Sequence, residues 1–281
     1  MLTSPQDNLV KIFGSSFREN WVSQAVTDYG MAHTLTYGEL ATLIAQMHVL
    51  FEQCGIRKDD KIAVMGKNNS NWVATYLATV TYGAIIVPIL QDFKANDAIH
   101  IINHSGAKLL FISDANWEGI EHDQIPAVMA VFSLGNWHPI AMREELVANL
   151  TPEAILGIFN SRYPDGYKPA DVHYDERPNN EVASINYTSG TTGFSKGVVT
   201  PCNALAGNIR FALDSRLTFR GARHVTFLPL AHAYGCAFDF LSCLAAGGHT
   251  YLIGRTPSAK ILLKAFAEVK PDIILDRKSV V

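Results

Sequence analysis

Apolar residues return along this chain with two different periods. Between Thr36 and Gly55 they fall at Leu40, Leu43, Ile44, Met47, Leu50, Phe51 and Cys54, every third or fourth position. That spacing predicts a helix with one buried face. Thr36 and Glu39 stand where a capping box opens such a helix, and Gly55 stands where one closes. Lys61–Met65 is a short apolar run without alternation, as expected of a strand covered on both faces. The two patterns then repeat: a helix over Asn71–Tyr82, a strand over Ala84–Leu90, a helix over Asn96–Asn103 and a strand over Lys108–Ile112. Alternation of this kind predicts parallel strands with helices on both faces, an α/β fold of mainly parallel sheets.

From about residue 116 to 180 the periodicity weakens. Val128–Phe132 reads as a strand and Glu144–Phe159 as partly helical, while Ser161–Asn180, rich in Pro, Asp, Asn and Tyr, reads as an exposed connector. The carboxylates Asp171, Asp175, Glu176 and Glu181 are there read as solvated loop residues. Beyond it come a strand at Val182–Asn186, a loop, and a helix opened by Thr200 as cap and Pro201 at its first position, with Leu205, Ile209 and Leu213 on one face. A strand at Val225–Leu228, a buried helix over Cys236–Ala246, a strand at His249–Ile253, a helix over Ser258–Val269 and a strand beginning at Asp272–Leu275 complete the pattern. This divides the chain into a first α/β unit (about 34–115), an irregular connector (116–180) and a second α/β unit (181–275).

Composition narrows the function classes. The 281 residues carry a net charge of −3 and no dense Lys/Arg run, which argues against a nucleic-acid partner. Cys54, Cys202, Cys236 and Cys243 show no C-x-x-C spacing, so free thiols are expected; with His232 and His249 they match no zinc pattern either. The first residues lack the basic and apolar regions of a signal peptide. Asn71–Leu90 is free of charge, but Gly83 and Pro88 break it into a helix and a strand, leaving no transmembrane segment. A soluble protein of the cytoplasm is the expectation.

Chemistry concentrates in the loop after the Val182–Asn186 strand, Tyr187-Thr188-Ser189-Gly190-Thr191-Thr192-Gly193-Phe194-Ser195-Lys196-Gly197. Glycines let backbone N–H groups approach an anion, hydroxyls add donors, and Lys196 adds a mobile charge. The combination suits a polyphosphate; the plain alternative is a polar surface loop. It is not the G-x-x-x-x-G-K-[ST] loop, because Ser195 precedes the lysine and Gly197 follows it.

The run resembles the phosphate-binding loop of the adenylate-forming, acyl-activating superfamily, close to [YS]-T-S-G-[ST]-T-G-x-P-K-G, with Ser195 replacing the usual proline. A second resemblance is Leu228-Pro229-Leu230-Ala231-His232-Ala233-Tyr234-Gly235, similar to the family's L-P-L-x-H-x-x-G. Leu35–Leu40, Gly66–Ser70, Gly83-Ala84 before Val87-Pro88, and Asn103–Lys108 look like the N-terminal region of acyl-CoA synthetases. The resemblance runs from about Thr34 to Leu275 and is nearest to long-chain fatty-acid CoA ligases.

It implies part of that family's large N-terminal domain, and a two-step reaction with ATP, Mg²⁺ and coenzyme A. A fatty acid or other small carboxylate would become an acyl-adenylate and then a thioester. By carry-over, Thr188, Ser189, Gly190, Thr191, Thr192, Gly193, Ser195, Lys196 and Gly197 would hold ATP, Thr188 would lie near the metal, and His232 would contact the reacting carboxylate. The family's later motifs and its C-terminal catalytic lysine have no counterpart before Val281, so a fragment is expected. An aryl or amino acid as the activated carboxylate, a nucleotide-binding fragment without turnover, and peripheral membrane contact all stay open.

Overall fold

The computed structural model of the chain describes residues 8–188 and 195–276. The path opens with α1 (Leu9–Glu19), β1 (Gln24–Asp28), β2 (His33–Thr36) and α2 (Tyr37–Gln53). Then β3 (Lys61–Met65), α3 (Ser70–Tyr82), β4 (Ile85–Ile89), α4 (Ala95–Ser105) and β5 (Ala107–Ile112) alternate. The middle holds α5 (Asp114–Trp117), β6 (Ala130–Ser133), β7 (Pro139–Met142) and α6 (Pro152–Arg162). The last part runs β8 (Val182–Thr188), β9 (Lys196–Pro201), α7 (Cys202–Asp214), β10 (Arg223–Thr226), α8 (Ser242–Ala245), β11 (His249–Leu252) and α9 (Ala259–Val269). A π-helical turn, Gly235–Leu241, leads directly into α8.

Among the described residues the strands form a seven-stranded sheet, β7-β6-β5-β3-β4-β8-β9, and a four-stranded sheet, β10-β11-β1-β2. Pairing is mostly parallel, with antiparallel partners at the edges: β6 with β7, β8 with β9, and β1 with β2. Strand alternation splits the interior of the large sheet into two cores. Ile62, Val64, Ile86, Leu109 and Phe111 join α2 and α3 in one, while Ala63, Met65, Val87, Ile89, Leu110 and Ile112 face α4 in the other. The capping box at α2 forms as the sequence implies, with Thr36 accepting from Glu39 N–H and Glu39 from Thr36 N–H. No described helix is long and apolar enough to cross a membrane.

Four segments depart from the sequence expectation. Leu9–Glu19 is a helix with Leu9, Val10, Phe13 and Phe17 buried, and its helical spacing was legible. Lys196–Pro201 is a strand rather than loop and helix start. Its β-branched Val198-Val199-Thr200 run completes a ladder with β8, and Pro201 ends it at the sheet edge, where no further ladder donor is needed. The opening N–H groups of α7 are met by Glu181 O (2.8 Å, from Cys202) and Asn179 O (2.8 Å, from Asn203) instead of a threonine cap. Asp272–Leu275 makes one bridge, Ile273 to His224, and no strand; Asp272 is held at the edge by Arg223, Nε to Oδ2 3.1 Å.

The expected exposed connector also hides an anchor. Arg177, 3% exposed, donates to Ala84 O (3.0 Å) and Val182 O (2.8 Å), tying the end of α3 to the start of β8. Glu181 accepts from Lys58 and Arg177, so it is part of this joint rather than a solvated loop carboxylate.

Candidate functional site

Parallel pairing makes every central strand of a sheet end on the same edge, and the loops that leave those ends form a crevice. In the large sheet these are the loops after β3 (66–69), β4 (90–94) and β5, together with the end of β8 at Thr188. In the small sheet they follow β1, β10 and β11. Two side chains lock the edges together. Asp28, the last residue of β1, accepts from Ser70 N–H (2.8 Å) and Ser70 Oγ (2.6 Å). Asn68, just past β3, donates to Leu228 O (2.8 Å) and accepts from Leu230 N–H (3.0 Å) beyond β10. A cleft of about 370 Å³ opens beside this joint, lined by Lys67, Gln91, Asp92, Pro229 and Arg255 among others.

The glycine-rich run lies in sequence between the end of β8 and the start of β9, which pair antiparallel. Of its expected nucleotide ligands, Ser189, Gly190, Thr191, Thr192 and Gly193 lie outside the described residues. Ser195 is half-buried and precedes β9 directly. Thr188 and Lys196 are both exposed and stand opposite each other in the ladder. Directly opposed antiparallel residues share a face, so hydroxyl and ammonium project side by side. Gly197 opposes Tyr187, and a Cβ there would lie 3.3 Å from the Tyr187 ring. By alternation Ser184, Asn186 and Thr188 share the other face of the strand. Ser184 lies beside the Tyr76 hydroxyl, which also meets Cys236 of the π-helical turn. The face that presents Thr188 and Lys196 is therefore the one on which the turn after His232 packs.

His232 sits, half-buried, between β10 and that π-helical turn. Its N–H donates to Pro229 O (3.0 Å), and its carbonyl accepts from Cys236 N–H (2.9 Å). Nδ1 accepts from Tyr234 N–H (3.3 Å), which places the neutral ring's proton on Nε2. Gly235 is required by close approach, since a Cβ would lie 2.9 Å from Pro229 O. Burial pushes the Cys236 thiol up to about 12, so it is no nucleophile near neutrality. Beyond it Tyr234 and Phe238 (rings 5.3 Å apart) and Phe211 of α7 (6.3 Å from Phe238) make an aromatic strip. Both Tyr234 and Phe211 are exposed.

The structure thus brings together Thr188, Ser195, Lys196 and Gly197 at the hairpin, and sets the His232 turn on a facing edge. Asn68, Asp28 and Arg177 are the positioning residues that sequence reading missed. Asn68 and Asn69 directly after a buried strand were the available signal, because a buried amide there must find backbone partners. Among the described residues no group of three or more His, Cys, Asp or Glu is placed to hold a metal.

The family model described as AMP-binding enzyme matches residues 18–275. A long chain acyl-CoA synthetase of Arabidopsis thaliana is 24% identical over 264 residues, covering 86% of this chain and 37% of the relative. A malonate–CoA ligase of the same plant is 25% identical over 252 residues, covering 84% and 38%. Among solved structures, the anthranilate CoA ligase AuaEII in complex with anthranoyl-AMP superposes with a TM-score of 0.77 at 17% identity, covering 96% of this chain and 49% of that one. The chain spans less than half the length of each of these proteins.

Proposed function

The chain belongs to the AMP-binding enzyme family, and from that premise we propose that it serves the ATP-dependent activation of a fatty acid to its coenzyme A thioester. In the first step a carboxylate oxygen attacks the α-phosphorus of ATP, and the P–O bond to pyrophosphate breaks. In the second the coenzyme A sulfur attacks the acyl carbonyl, and AMP leaves. The observation that carries the reading is the Thr188–Lys196 pair, side by side and exposed at one edge of the crevice, facing the edge that holds the His232 turn.

The hairpin residues Thr188, Ser189, Gly190, Thr191, Thr192, Gly193, Ser195, Lys196 and Gly197 receive the triphosphate in this proposal. Lys196 offsets charge on the phosphates, an interaction that strengthens as charge shifts toward the leaving group. An exposed hydroxyl next to an ammonium suits a polyphosphate, and Thr188 would then be the residue beside its Mg²⁺. Mg²⁺ supplies neutralisation of the phosphate charge when bound. His232, with its proton on Nε2, donates a hydrogen bond to the carboxylate without adding a fixed charge that would hold the nucleophile back. The aromatic strip of Tyr234, Phe238 and Phe211 offers an apolar tail a surface next to that histidine, which favours a fatty acid over a short dicarboxylate.

The test is ATP titration by calorimetry together with pyrophosphate exchange over a panel of fatty, aryl and short dicarboxylic acids. Lys196→Ala should lose about 1.5–3 kcal/mol of ATP affinity, the worth of a charge-assisted hydrogen bond. Unchanged affinity in the folded variant removes Lys196 from the site. Exchange stimulated by short diacids and not by fatty acids overturns the substrate reading.

A further inference from the structure

The hairpin that carries Thr188 and Lys196 has its base fixed by a helix on the far face of the sheet. Tyr187, 6% exposed, turns its ring away from the crevice into the core shared with Val87, Ile89, Ile101 and Ile102. The ring crosses the backbone of Gly197, its ladder partner, where a Cβ would lie 3.3 Å from Cζ. Its hydroxyl reaches His104 Nδ1 at 2.7 Å, in the last turn of α4, with the two rings 5.7 Å apart at 90°. Gly197 and Tyr187 are the immediate neighbours of Lys196 and Thr188. A rotation of Tyr187 about its Cα–Cβ bond would therefore uncover Gly197 and loosen both phosphate-facing residues at once.

We propose that His104 is a positioning residue, holding the base of the phosphate hairpin through the Tyr187 hydroxyl; this rests on the nucleotide-binding reading above. The contact pre-orders the base of the hairpin, so that binding does not have to restrain Tyr187 and Gly197. Nothing passes through His104 chemically, and it touches no substrate.

Three single variants and one double variant of the full chain test this: His104→Ala, His104→Asn, Tyr187→Phe, and His104→Ala with Tyr187→Phe. Asparagine keeps a polar atom at the same distance from Cα as Nδ1 and is the rescue variant. Two readouts are used, ATP titration and hydrogen exchange of the Lys196–Val199 amides without nucleotide. His104→Ala and Tyr187→Phe should each weaken ATP binding about threefold, the worth of one partly exposed hydrogen bond. The double variant should be no weaker than either, and His104→Asn should stand near the parent. Exchange in β9 should quicken in the same order while the urea midpoint holds. Uniform acceleration across all strands, or additive losses, would reduce His104 to a general stabiliser and overturn the proposal. Unchanged exchange in β9 would overturn it as well. If the parent chain binds no ATP, the nucleotide reading falls, and the exchange measurement alone decides the positioning role.

Discussion

Asn68→Ala is the substitution that probes how the crevice is built. The Asn68 side chain ties the loop after β3 to the turn carrying His232, through Leu228 O at 2.8 Å and Leu230 N–H at 3.0 Å. Removing it leaves both backbone groups without that partner, but the two are not equivalent. Leu228 is half-buried and lines the cleft of about 370 Å³, so water can reach its carbonyl and recover most of that bond. Leu230 is fully buried, so its N–H carries the larger desolvation penalty. An unsatisfied buried donor costs about 1–3 kcal/mol and a rehydrated acceptor a few tenths, giving about 1.5–3.5 kcal/mol in total. Asn69→Ala, one residue on, is the internal comparison. Asn69 caps α3 by accepting from Trp72 N–H at 2.7 Å, and its loss should cost about 1 kcal/mol. Urea unfolding followed by circular dichroism gives both values, and ATP-dependent pyrophosphate exchange reads the function. Asn68→Ala should lose exchange well beyond its share of instability, because the His232 turn is released from the large-sheet edge that it faces. A loss below about 0.5 kcal/mol, or exchange reduced no more than in Asn69→Ala, would refute the clamp.

Gly235→Ala should displace the same turn from the other side. Its Cβ would meet a backbone oxygen that cannot rotate away, so a loss of about 1–3 kcal/mol and a matching drop in exchange are expected, read by the same two assays. Stability should also fall on acidification. Burial lowers both His48 and His249 from 6.5 to about 4. Above pH 6.5 both rings are neutral folded or unfolded; below it the unfolded chain takes up protons that the fold refuses, so stability declines until about pH 4. Urea midpoints measured from pH 7.5 to 4.5 should show that slope, and the double variant His48→Gln, His249→Gln should flatten it; an equal slope in the variant would disprove the assignment.

Local rules were sufficient wherever a segment's structure depends on neighbours within a turn or two. The helix from Tyr37 needed only Thr36, Glu39 and the apolar stripe, and the buried strands after it needed only their uninterrupted apolar runs. The glycine-rich run and the Leu228–Gly235 motif pointed to the family through their resemblance to its motifs, and the family model matches residues 18–275. What lies across the fold was not legible. Val198–Thr200 has strand propensity, yet it becomes a strand because β8 offers a ladder, and that pairing sets Thr188 beside Lys196. Arg177 reads as a loop charge until its carbonyl partners, 93 and 5 residues away, are known. Asn68 finds its partners 160 and 162 residues along, and Tyr187 finds His104 83 residues back. Propensity and periodicity act over a few residues, whereas a buried polar group must be satisfied by whatever the topology brings within 3 Å, and only the tertiary structure decides that.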